Sequence, residues 1–219
     1  ITARQDELNY RLQLAKFLAQ TGQADKAETV MREAVAADPG EARRHLVLAD
    51  LLAAKKSRDA GIEYLKGAIT EHPDMSELYF GMAQLYEQAQ RSDDAKQVYD
   101  NVITRFGEEP PGLTARNRLA VHAATAGDID RAKALVEAVL AKNPKDNDAL
   151  LTKGRLAMQE GDFDSAVNAF RSVLRDQPDS VQVLHLLAEA QLRKGDVELA
   201  GDNLRRAVEA APQNIDARV

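Results

Sequence analysis

The sequence predicts an all-α solenoid built from antiparallel helix pairs, and three observations predict it. Prolines at 39, 73, 110, 144, 178 and 212 recur every 34 residues, apart from one interval of 37 between Pro73 and Pro110. A fixed period of this length marks a stacked array rather than one central core. Small residues keep the same period in two columns: Ala15, Ala49, Ala83, Ala120, Gly154 and Ala188; then Ala27, Gly61, Ala95, Ala132, Ala166 and Ala200. Large apolar residues fill two more. One holds Leu14, Leu48, Met82, Leu119 and Leu187, broken by Lys153; the other holds Met31, Leu65, Tyr99, Val136, Phe170 and Leu204.

Each unit opens on a first helix. Its apolar positions lie four and seven residues apart, the helical spacing, and its small column lets a second helix approach closely. A turn follows, at Thr21-Gly22-Gln23, Ala126-Gly127-Asp128, Glu160-Gly161-Asp162 and Lys194-Gly195-Asp196. Glycine suits the left-handed conformation that closes a helix. Units two and three carry Lys56 and Gln90 there, so their turns are expected to be strained or differently shaped. The second helix then starts near Asp25, Asp59, Asp93, Asp130, Asp164 and Glu198. An acid at that place accepts hydrogen bonds from free backbone N–H groups and opposes the positive end of the helix dipole. The proline ends the second helix.

Residues 1–7 read as the end of a preceding repeat or a flank. Residues 8–112 read as repeats one to three, 113–214 as repeats four to six, and 215–219 as the start of a truncated seventh. The expectation is therefore an excised segment of a longer repeat protein, with exposed terminal faces available for self-association. The long interval, Phe106-Gly107-Glu108-Glu109-Pro110-Pro111-Gly112, holds a Pro/Gly-rich insertion at 107–112 that is not expected to continue a helix. It reads either as a tolerated loop or as a hinge between two halves.

The pattern of bulky, small, aromatic, Ala, aromatic and closing Pro resembles the tetratricopeptide repeat family. Unit five carries it as Leu150, Gly154, Ala157, Gly161, Ala166, Phe170 and Pro178. Unit three carries it as Tyr79, Met82, Ala83, Tyr86, Ala95 and Tyr99. The resemblance covers about six units and implies a right-handed superhelix with a concave groove lined by the first helices. It implies a non-catalytic scaffold for a protein or peptide partner. Mapped onto this sequence, the groove comprises Asn9, Leu12, Lys16, Arg43, Leu46, Asp50, Glu77, Phe80, Gln84, Asn117, Arg118, Val121, Asp148, Leu151, Arg155, Gln182, His185 and Glu189. Leu46, Asp50, Phe80, Gln84, Asn117, Arg118, Leu151, Arg155 and His185 are the candidate partner contacts. Phe80 leads them, because an exposed aromatic is costly. Leu12, Leu46 and Leu151 read equally as packing between adjacent first helices. Chaperone-binding members hold a C-terminal carboxylate with Lys, Asn, Asn, Lys and Arg. The matching positions here hold Leu12, Lys16, Val47, Glu77 and Gly81, so that mode does not transfer.

Composition bounds the remaining classes. The 219 residues are 44% hydrophobic and 29% charged, with net charge −6 and no cysteine. The absence of cysteine excludes disulfides, thiol catalysis and Cys-based zinc sites, and fits either bacterial cytoplasm or periplasm. No apolar run is long enough to span a bilayer. With a pI near 5.3, and basic residues scattered among acids, a nucleic-acid stripe is not expected. Arg43-Arg44 and Arg205-Arg206 read as solvated helix faces. His45, His72, His122 and His185 form no i, i+4 pair, and no metal or cofactor is expected. Asp128-Ile129-Asp130 and Asp162-Phe163-Asp164 lack the glycine and distal glutamate of a calcium loop and read as helix starts. No catalytic motif is present. The alanine-rich units are also similar to repeat regions of Gram-negative envelope proteins serving polysaccharide secretion or outer-membrane assembly, which would imply a periplasmic segment of a larger machine.

Overall fold

The computed structural model describes the backbone of residues 2–211 and the side chains of residues 9–211. The readings at Pro212 and at 215–219 lie outside the described residues. Within them the chain is all α, twelve helices and no strand. It forms two compact units, Ile1–Gly107 and Glu108–Val219.

The first unit holds α1 (Thr2–Gln20), α2 (Ala24–Ala37), α3 (Ala42–Lys55), α4 (Arg58–Glu71), α5 (Ser76–Gln88) and α6 (Ser92–Phe106). The second holds α7 (Pro110–Thr125), α8 (Ile129–Lys142), α9 (Asn147–Glu160), α10 (Phe163–Asp176), α11 (Val181–Lys194) and α12 (Val197–Ala210). Within each unit every first helix packs on its own second helix, and that second helix packs on the next first helix. This is the stacking of a solenoid, in which each repeat covers only its neighbours.

The small columns explain the closeness of the pairs. The alanines at 27, 95, 132, 166 and 200 are wholly buried. Gly61 has no room for a side chain, since a Cβ there would lie 2.6 Å from the Ala49 carbonyl oxygen. Gly154 is filled by Phe170, whose ring carbon Cε1 lies 2.3 Å from where a Cβ would stand. Phe170 is itself fully buried and anchors the core of the second unit with Val167, Val173, Leu184 and Leu187.

The turns follow one motif. Gly22, Gly127, Gly161 and Gly195 have positive φ, and the residue after each returns a hydrogen bond to a carbonyl five back, as in Asp162 to Ala157 at 2.9 Å. Gln90 makes the same turn with φ 59, a left-handed conformation without glycine. Lys56 takes another route: its φ is −112, its N–H bonds to Leu52, and Ser57 immediately caps α4. The two turns without glycine thus have different outcomes, one strained and one reshaped.

The structure corrects three details. The repeated acids lie in the first turns of the second helices, but the side-chain caps are made two residues earlier. Ser57 accepts from the Ala60 N–H, Asp128 from Arg131 and Asp162 from Ser165. The periodic acids therefore face the helix dipole without capping, and Asp25, Asp59, Asp93 and Asp164 also pair with Lys55, Arg91, Lys96 and Lys194. Second, Pro39, Pro73, Pro144 and Pro178 do follow helix ends, but Pro110 opens α7, and Pro111 and Gly112 continue it. At the first turn the missing N–H has no helical acceptor to lose, so only Gly107 to Glu109 remain outside helices. Third, Arg44 is buried rather than solvated. Its guanidinium donates to the Ala34 carbonyl at 2.7 Å and lies 3.6 Å from Asp38, satisfying the end of α2.

Candidate functional site

In the first unit, Asp50 and Gln84 are exposed, while Leu46 and Phe80 are half-buried. Leu46 lies across Gly81, with Cδ2 2.3 Å from the position a Cβ would take. It fills the seam between α3 and α5. Phe80 rests against Tyr99, with ring centroids 6.2 Å apart. Tyr99 in turn donates its hydroxyl to Glu87 at 2.9 Å.

The first unit also holds an apolar hollow of about 380 Å³ between α1, α2 and α3. Leu12, Ala15, Ala19, Met31, Val47 and Leu51 line it, with the exposed Lys16 and Asp50 completing the wall. Met31 and Ala15 are buried at its base. Ala15 and Ala19, one helical turn apart, present only short side chains to it. Although Asp50 is exposed overall, partial desolvation by the apolar side chains beside it raises its carboxyl above the ordinary pKa. Neither Lys16 nor Asp50 has an ion-pair partner among the described residues. Leu12, Lys16 and Asp50 belong to the groove face read from the sequence. The remaining lining residues were missed, and the pair of alanines four apart was the available signal.

In the second unit, Arg118 and Arg155 are exposed, Leu151 and His185 are half-buried, and Asn117 is buried. Asn117 donates to the Asp146 carboxylate at 2.9 Å, and the same carboxylate caps α9 through the Ala149 N–H. Its amide is thus committed to joining α7 to the start of α9. His185 keeps Nε2 buried without a hydrogen bond. Lys153, the exception in the leucine column, is exposed and borders a smaller, more polar hollow of about 190 Å³ between α8 and α9. Lys133 and Glu160 line the same hollow and pair across it.

Of the histidines, His45 and His72 are brought together, with centroids 5.5 Å apart. The His45 ring nitrogens face the Tyr64 hydroxyl at 2.8 Å and the Pro39 carbonyl at 2.9 Å. Among the described residues no group of three or more His, Cys, Asp or Glu side chains is arranged to hold a metal ion. None of the described helices is long and apolar enough to cross a membrane.

Sequence models described as Tetratricopeptide repeat match residues 8–51, 51–119, 117–157 and 151–215, together spanning nearly the whole chain. No curated protein matches in sequence. Among solved structures, the chain is similar to PilW, a widely conserved type IV pilus biogenesis factor, at 19% identity and TM-score 0.68, covering 96% of each chain. It is similar to pilF of Pseudomonas aeruginosa at 16% identity and TM-score 0.67, covering 99% of this chain and 97% of that one. A third likeness is to YrrB, a repeat protein with an unusual peptide-binding site, at 18% identity and TM-score 0.57, covering 86% and 95%. At these identities the likeness is one of fold.

Proposed function

We propose, from the premise that the chain belongs to the tetratricopeptide repeat family, that it is a non-catalytic scaffold binding a segment of another protein. The observation that carries this reading is the apolar hollow between α1, α2 and α3, with an unpaired acid and an unpaired lysine on its wall. A hollow of that size accepts one or two large apolar side chains. A carboxylate in an apolar wall gains most from a hydrogen-bond donor or cation brought by the partner. The segment that fits therefore carries an aliphatic or aromatic anchor beside a basic residue or a free backbone N–H. YrrB is described as having a peptide-binding site on the same fold, and that supports the class of partner.

Among the other groove residues, Asp50 and Gln84 in the first unit and Arg118 and Arg155 in the second are the exposed side chains offered to a partner. Leu46, Phe80, Leu151 and His185 present only their outer edges.

The test is selection from a random peptide display library against the full chain. The expected result is enrichment of an apolar anchor next to Lys or Arg. Ala19→Leu, which fills the hollow with a good helix former, should abolish the enrichment and leave helical content unchanged. Recovery of the same peptides by Ala19→Leu refutes the hollow as the anchor site.

A second reading places the scaffold in a bacterial envelope assembly, in the periplasm. Its support is the near end-to-end likeness to PilW and pilF, the former described as a pilus biogenesis factor. Fractionation of the source cells tests it, and recovery of the protein with the cytoplasm alone refutes it.

A further inference from the structure

Lys153 breaks a column in which Leu48, Met82, Leu119 and Leu187 are all buried. It is exposed, although α8 packs on α9. A leucine at this place serves packing; a lysine gives that up for a charge on a flexible stem. At 3.6 residues per turn, Lys153 stands about 160° around α9 from Leu151 and Arg155, so it lies on the side turned away from the groove face.

Two hollows meet there and share Lys153 and Ser165. Glu137, Glu160 and Asp162 line the one toward α8 described above. Of these, Glu160 is paired with Lys133, and Asp162 accepts from the Ser165 N–H at 3.0 Å. The other hollow, of about 250 Å³, lies between α9 and α10 and is lined by Leu150, Lys153, Ser165, Asn168, Ala169 and Ser172. No acidic side chain is among them. Leu150 and Ala169 are buried and give it an apolar floor. Ser165, Asn168 and Ser172 follow at helical spacing along α10 and form its polar wall.

The polar groups of this second hollow are donors without acceptors. The Lys153 ammonium and the Asn168 side-chain amide have no partner among the described residues. Ser172 donates its hydroxyl to the Asn168 carbonyl at 2.9 Å, and Arg175 donates to the Ser172 oxygen at 3.0 Å. Arg175 is exposed and meets no carboxylate among the described residues. The chain as a whole carries net charge −6. This local pair of cations runs against that balance, so it selects an anion by contact rather than through the general field.

We propose that the hollow between α9 and α10 is a second binding site, taking an acidic segment of a partner protein through Lys153, Arg175 and the Asn168 amide. A glutamate fits it: the methylenes lie on Leu150 and Ala169, and the carboxylate takes charge-assisted hydrogen bonds from Lys153 and Asn168. A neighbouring acid of the segment reaches Arg175. The apolar floor favours a carboxylate on an aliphatic stem over a free inorganic anion. That the partner is a protein rests on the scaffold reading; the site itself is separate from the hollow beside Asp50 and prefers the opposite charge.

The experiment is titration of the 15N-labelled full chain with a blocked Gly-Glu-Glu-Leu-Gly peptide, followed by amide chemical shifts. Saturable shifts centred on residues 150–153 and 165–175 are expected. Lys153→Leu restores the residue of the column and should weaken binding about tenfold, the worth of one charge-assisted hydrogen bond. Lys153→Gln keeps most of the stem, removes the charge and should do the same; far-UV circular dichroism checks that both variants are folded. Ala19→Leu should leave this binding unchanged, so failure of the first hollow is read separately from failure here. Absence of saturable shifts, or undiminished binding by the Lys153 variants, overturns the proposal. So does inorganic phosphate producing the same shifts at the same concentrations, because the hollow would then be a general anion site.

Discussion

Replacing Gly154 by alanine should destabilise the second unit, although the same substitution in mid-helix normally stabilises. Alanine gains about 1 kcal/mol over glycine in a helix interior. At Gly154 the new methyl would stand 2.3, 2.7 and 2.8 Å from three carbons of the Phe170 ring. The ring must retreat by more than an ångström, and it is fully buried among Ala166, Val167 and Val173. Overpacking of this kind costs about 1–3 kcal/mol, and a rigid buried ring belongs at the upper end. The net is a loss of about 1–2 kcal/mol. Gly201 in α12 is the control: nothing lies within 4 Å of its Cβ position, so Gly201→Ala should gain about 0.5–1 kcal/mol. The assay is urea unfolding followed by circular dichroism at 222 nm, with hydrogen exchange locating the change in α9 and α10. Adding Phe170→Leu to Gly154→Ala should recover part of the loss. If Gly154→Ala stabilises as much as Gly201→Ala, the ring does not occupy the glycine's space and the packing argument fails.

Three further outcomes are expected. Ala166→Leu should cost about 1–3 kcal/mol by forcing α9 and α10 apart; an unchanged urea midpoint would mean the small column is not a contact. Gln90→Gly should raise the urea midpoint by about 1 kcal/mol of stability, because Gln90 holds φ 59 where a side chain is disfavoured, and a loss would show that the side chain supports the turn. Glu28 accepts hydrogen bonds from Lys55 at 2.6 Å and from Arg32, and these hold its carboxyl at about 2 rather than 4.5. A depressed folded pKa stabilises above the unfolded value, so this contribution is full above about pH 4.5 and is lost as pH falls toward 2. Glu28→Gln should therefore be less stable than the native chain at pH 6 and converge with it near pH 2. A constant difference across that range would show that the pairs do not carry the effect.

The repeat and its helix boundaries were legible in the chain because they depend on local, periodic chemistry. Proline after a helix end, glycine in a left-handed turn, an acid in a first turn and two small columns recur in most units. Pro110 shows where that logic stops. The same residue type that follows four helix ends opens α7, since proline suits a first turn and only the neighbouring chain decides which role it takes. Arg44 shows it again. A charged side chain in an arginine pair reads as solvated until the end of α2 is seen to offer it the Ala34 carbonyl. The candidate site was legible only in part. The resemblance named the face bearing Leu12, Lys16 and Asp50, but the hollow depends on how Ala15, Ala19, Met31, Val47 and Leu51 meet, a volume relation between three helices. The sequence by itself determined the architecture, through a period that local rules enforce unit by unit. Only the tertiary structure decided which apolar residues are spent on packing, as Leu46 is over Gly81, and which of the groove residues stand exposed, as Asp50 and Gln84 do. Burial is a property of what lies opposite a side chain, and a one-dimensional pattern does not contain that.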